Sequence, residues 1–236
     1  MLAVDPVSSG WIVHTPSFTG AAGTTLATTV HEAIAERIEC LRDELYALLI
    51  TIAVAARGFR TDTLSHVHGI SRLRAAVLGD ALVQRQLVTE SDGVYACAHP
   101  IIAHVVRTGH STSRRREVHR ALALALEFVS PVDADPSTQG EIARHAEQAG
   151  DQEIAYRHAL QASESCTRRG AYEEALSWLD LAAGTATNAD ESEVVNRATA
   201  RVLEEAGWRE APPIRPIGSL VPAPMQREDL DLPAGP

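Results

Sequence analysis

Lysine, cysteine, histidine and serine carry most covalent, metal and acid–base chemistry in proteins, and this chain of 236 residues either lacks them or spaces them wrongly for it. Lysine is absent, and all 21 basic residues are arginine. That removes Schiff-base chemistry, lysine general bases and the lysine with which a P-loop reaches nucleotide phosphates, so a self-contained P-loop ATPase is excluded. Cys40, Cys97 and Cys166 contain no Cys-x-x-Cys pair, and neither a disulfide framework nor a zinc site is written in them. His31-Glu32 opens an H-E-x-x-H motif that Ala35 breaks, and histidines 66, 68, 104, 110, 119 and 145 fall at no ligand spacing. They read as solvent-facing or packing residues. There is no G-x-S-x-G elbow, and the glycines between Thr19 and Thr25 have neither a strand before them nor a lysine after them. That stretch reads as a linker. A non-enzyme is expected, with no metal and no cofactor of its own.

Arginine and carboxylate remain, and these bind rather than react. The chain carries a net charge of -10, unevenly placed: residues 28–129 hold 12 arginines against 11 acids, and residues 130–236 hold 9 against 19. Nucleic-acid contact is therefore to be sought in the first half. Arg72, Arg74 and Arg85 on a helix over 71–86 are the candidates for it, opposed by Asp80 and by Glu90 and Asp92 in the following turn. Arg114, Arg115 and Arg116 stand together at a helix start, where they suit a phosphate, the carboxylate of a neighbouring domain or a nucleic-acid backbone. An apolar fraction of 45% supports a real core. No membrane-length apolar run or export signal is present, and the unpaired cysteines fit a reducing compartment, so a cytoplasmic protein without a membrane partner is expected.

The elements that must position these residues are almost all helical. Thr29 and Glu32 make a capping box before a helix to Leu41. Leu45, Leu48, Leu49, Ile52, Ala53 and Ala56 form the stripe of a second helix ending at Gly58. A short helix over 62–68 and the helix over 71–86 follow, the latter with Leu73, Val77, Ala81 and Leu82 on one apolar face. Two β-prone runs around Asp92-Gly93 then form a hairpin, and three helices before a hairpin is the order of a winged helix. Helices over 99–107 and 113–129 come next, the second burying Val118, Ala121, Leu122, Ala125 and Leu126. The proline-bounded segment 130–136 is the domain boundary. Beyond it, G-x-x-E-x-A occurs at Gly150 and again at Gly170, an internal helical repeat. A last helix over 190–206 precedes a tail, 211–236, that holds seven of the twelve prolines and is expected to be disordered.

The order Trp11-Ile12-Val13, then Thr29-Val30-His31-Glu32-Ala33-Ile34-Ala35-Glu36-Arg37-Ile38, then Ala53-Val54-Ala55-Ala56-Arg57-Gly58-Phe59 resembles the segment that follows the ATPase core of STAND-class signalling ATPases, many large LuxR-type bacterial regulators among them. Tyr95-Ala96-Cys97-Ala98-His99-Pro100-Ile101-Ile102 is similar to that family's F-x-H-x-L-I after the wing. Arg115-Arg116-Glu117-Val118-His119-Arg120-Ala121-Leu122-Ala123 is similar to its R-R-x-L-H-R-x-L-A, and the two repeats to its tetratricopeptide-like sensor array. The likeness runs over about residues 10 to 185. In the family a Walker-containing ATPase precedes the winged helix; this chain begins after that point, as a truncated product or a stand-alone relative would.

The resemblance implies an all-α, mainly helical fold with one small hairpin: a leader at 1–27, a winged-helix domain at 28–129, a tetratricopeptide-like stack at 137–208 and the tail. It implies a regulatory, protein-interaction role, with the winged helix coupled to a nucleotide domain and the stack sensing a partner. His99 falls on the histidine of the family's MHD-like motif, a sensor of bound nucleotide diphosphate, although Ala98-His99-Pro100 has neither the Met nor the Asp. ATP or ADP would come only with a supplied ATPase domain. Arg114 to Arg116 would face that domain, and Glu153, Tyr156, Tyr172 and Glu173 would line a groove for a basic or peptide partner. Two alternatives stand beside this: a DNA-binding winged-helix regulator with an acidic sensor or dimerisation half, and a stand-alone peptide-binding scaffold.

Overall fold

The computed structural model describes residues 22–55, 57–130 and 136–208. Most of the expected leader, the linker at 131–135 and the tail at 211–236 lie outside the described residues. The chain divides into two compact units, residues 1–42 and 43–236. In the first, helix α1 spans Ala22–Glu39. It begins before the expected capping box, so Thr29 and Glu32 are interior neighbours one turn apart, and Ala22 to Thr25 are helix rather than linker.

The second unit opens with α2, Asp43–Ala55, whose first-turn Asp43 and Glu44 suit the positive helix end. A one-sided stripe is too little for this helix. Leu45, Leu48, Leu49, Ile50, Thr51, Ile52, Ala53 and Val54 are all buried, because α2 is packed from several sides. Around it lie β1 (Phe59–Arg60), α3 (Thr61–His68), α4 (Arg72–Gln84), β2 (Val88–Ser91), β3 (Val94–Cys97), α5 (Pro100–Thr108) and α6 (Thr112–Val129). Ser71 caps α4 by accepting the N–H of Arg74, and Ser111 caps α6 through Arg114 in the same way. The hairpin is a three-stranded antiparallel sheet in the order β1-β3-β2, with Phe59 opposite Tyr95.

The apolar face of α4 is the main departure from expectation. Ala75, Leu78, Gly79 and Leu82 are buried, while Leu73 is 76% and Val77 49% exposed. Close approach explains the choice. A Cβ at Gly79 would run into the Tyr95 ring, so the helix turns its smallest stripe to the sheet, and Tyr95 donates its hydroxyl to Asp80 Oδ1 at 3.0 Å.

Helices α7 (Pro136–Ala149), α8 (Gln152–Arg168), α9 (Tyr172–Thr185) and α10 (Ala189–Ala206) follow, each packed on the next. Gly150 and Gly170 close α7 and α8 at the two repeat positions. Buried Ala155, Ala159, Ala162 and Cys166 let α8 lie close to its neighbours, and a Cβ at Gly140 would overlap the Trp178 ring. The helix α6 packs on α2 and α3 and also on α7, so it joins the helix-and-sheet part to the stack. Of its expected buried face, Leu122, Ala125 and Leu126 are buried and Val118 and Ala121 are half-buried, while Leu124 and Phe128 point outward.

Candidate functional site

The outer face of α4 is built from side chains that alternate between apolar and paired. Leu73 and Val77, four residues apart, stand one above the other on the exposed side. The arginines beside them are committed within the fold. Arg72 Nε lies 2.9 Å from Asp62 Oδ1 on α3, and Arg74 is paired with Glu44 on α2. Arg85 donates to the Ala81 carbonyl of its own helix at 2.8 Å. The turn beyond presents Glu90 and Asp92, both exposed, with Glu90 Oε1 accepting the N–H of Gly93 at 2.6 Å. A phosphate backbone meeting this face would compete with Asp62 and Glu44 for Arg72 and Arg74, and would meet carboxylates in the turn beyond.

His99 is exposed at the N-terminus of α5, where its Nδ1 accepts the N–H of Ile101 at 3.2 Å. It ties the end of the sheet to a helix start, and with Nδ1 accepting, the neutral ring carries its hydrogen on Nε2. The three successive arginines of α6 take three different positions. Arg114 lies over the Tyr46 ring, its guanidinium carbon 5.8 Å from the centroid. Arg115 donates to the Arg107 and His110 carbonyls at 2.9 and 3.0 Å, closing the end of α5. Arg116 is exposed and pairs with no other described residue. Tyr46 and His110 meet at 3.2 Å in the same corner, where burial with Arg114 and Arg115 nearby lowers the His110 pKa.

No family model, curated protein or solved structure matches the chain.

Glu153, Tyr156, Tyr172 and Glu173 are not brought into one groove. Tyr156 donates to the Glu191 carbonyl at 3.2 Å, at the start of α10, and Tyr172 meets the Trp208 ring edge-on just past its end. Those two contacts are about 25 Å apart along the helix axis. Both tyrosines fasten α10, while Glu153 and Glu173 are exposed in the first turns of α8 and α9. Nor is Cys97 an activated nucleophile: burial pushes its thiol up to about 11, against the pull of Arg107. Among the described residues no group of three or more His, Cys, Asp or Glu is placed to hold a metal ion, and no helix is long and apolar enough to cross a membrane.

Spacing had nothing to say about the polar joint between α6 and the stack. His119 Nδ1 and His145 Nδ1 are 2.9 Å apart, and the Phe59 ring lies 6.0 Å from that of His145. Arg57 pairs with Glu141 at 2.8 Å, and Arg120 with Asp151 at 3.0 Å. Further along, buried His158 contacts Gln139 Oε1 at 2.5 Å and Glu127 Oε1 at 3.2 Å. Each pair joins residues more than eighteen apart in sequence, where no local pattern reports them.

Proposed function

We propose that this chain is a non-enzymatic regulatory and protein-interaction module that works in the cytoplasm. Its helix-and-sheet part acts as a winged helix coupled to the nucleotide domain of a STAND-type ATPase, and its helical stack acts as a tetratricopeptide-like sensor of a partner. One observation carries the reading: α4 exposes Leu73 and Val77 while Arg72 and Arg74 are held by Asp62 and Glu44. Apolar side chains ringed by satisfied ion pairs suit a protein surface, where a central anchor is desolvated inside a polar rim. Duplex DNA would need those arginines free. The sequence resemblance names the occupant, a nucleotide domain, and gives exposed His99 at the start of α5 a task there, as a donor to a diphosphate oxygen through Nε2. Nucleotide belongs to that partner, supplied in a longer chain or in trans.

The test is calorimetric titration of an ADP-loaded STAND nucleotide domain into the chain. Leu73→Asp is expected to weaken binding at least about 10-fold, since a charge would replace a buried anchor, yet to change stability by less than about 0.5 kcal/mol because the site is exposed. Binding that is unaffected by Leu73→Asp contradicts the reading. So does salt-sensitive duplex binding that is lost in Arg72→Ala, Arg74→Ala and Arg85→Ala, which would favour the DNA-binding alternative.

A further inference from the structure

We propose that His119 and His145 form an acid-released latch between the helix-and-sheet part of the second unit and its helical stack. The geometry excludes a doubly charged pair. With Nδ1 atoms 2.9 Å apart, one ring donates its hydrogen and the other accepts it, and two imidazolium rings at that distance would repel. The pair sits where three elements meet: His119 on α6, His145 on α7 and Phe59 of β1 against the His145 ring. Together with the Arg57–Glu141, Arg120–Asp151 and Glu127–His158 contacts, it joins the stack to the rest.

Among the described residues no carboxylate acts on either ring. Arg115 on α6, Arg144 on α7 and Arg57 before β1 all act on the pair with positive charge. The nearby acids are already engaged, Glu141 on α7 with Arg57, and Glu117 on α6 and Asp151 before α8 with Arg120. The helices α2 and α3, packed elsewhere on α6, bring His68, which meets Thr51, and His66, stacked on Phe128. Burial first, and then Arg115, holds His119 down to about 4; burial, then the charge of His119, then Arg144 and Arg57 hold His145 down to about 3. Burial also lowers the His158 pKa in the second cluster, but there Glu127, which pairs with Arg157 as well, pulls the other way.

The sign follows from linkage. Groups depressed below the ordinary histidine value of about 6.5 favour the closed joint fully above that pH. Each ring binds a proton when released, so the closed state loses ground as the pH falls from about 6.5 towards 4. At pH 5.5 the open state gains about 10-fold per ring over neutral pH, or about 100-fold for both. This inference does not depend on what α4 binds.

The full chain is the sample for the test, followed from pH 7.5 to 5.0 by small-angle scattering, circular dichroism and histidine-ring NMR. The expected result is a reversible rise in radius of gyration below about pH 6.5 with helical content retained. His119→Gln, which keeps a hydrogen-bonding group but removes one titrating ring, is expected to open about 10-fold less at pH 5.5, and His158→Gln to open as the parent does. An unchanged radius down to pH 5.0 overturns the latch, as does an identical profile in His119→Gln or a loss of helix at the same pH. Should His119→Gln not fold, the parent's ring titration decides: both rings must stay neutral until the expansion and protonate with it, and independent protonation near pH 6.5 without expansion overturns it.

Discussion

From α2 to β2 most of the fully buried side chains are large aliphatics, among them Leu48, Leu49, Ile52, Leu64, Leu82 and Leu87, with Thr51 and Thr63 the buried polar ones. From α7 to α10 they are mostly alanine, and polar Gln139, His145, His158, Ser163, Thr167 and Thr185 are buried with them. The first part has apolar side chains to spare and leaves Leu73 and Val77 outside. The second gains its stability from close helix approach and satisfied polar contacts, and no buried described side-chain polar atom lacks a partner. A core of large aliphatics presents a face; an alanine-rich stack is joined to it through buried polar contacts, the His119–His145 pair among them.

Cavity formation should separate the two parts most strongly. Leu48→Ala in α2 is expected to cost about 2–5 kcal/mol, measured by urea unfolding, because the side chain is wholly buried. Ala159→Gly in α8 removes far less packing and should cost only about 1 kcal/mol, chiefly as lost helix propensity. Equal costs would break the comparison. Gly140→Ala comes next: its Cβ would meet the Trp178 ring, and a loss of about 1–3 kcal/mol should come with a shifted Trp fluorescence maximum. Smallest is Ser71→Ala, which removes the N-cap of α4 and should cost about 1 kcal/mol, with amide exchange quickened first at Arg74.

Elements with local punctuation were legible in the residues. Gly69 after α3, Ser71 before α4, the Asp92-Gly93 turn and the glycines of the repeat each mark a boundary the fold uses. The two-residue strand β1 is too short to have a period, and it forms only because Phe59 pairs with Tyr95. In α4 the sequence offers two apolar stripes, and periodicity does not choose between them. Gly79 beneath the Tyr95 ring does. The candidate site was less legible for a related reason. Arg74 looks free in sequence, but its partner Glu44 lies 30 residues away on another helix. Tyr156 and Tyr172 look like groove residues until α10 is seen to use both.

The exposed face of α4 carries the proposed function. Hydrogen exchange of the chain, with and without an ADP-loaded STAND nucleotide domain, tests it directly. Slowed exchange concentrated in residues 72–84 is the predicted result. Protection confined to α7 through α10, or protection of α4 that appears only with duplex DNA, would contradict it.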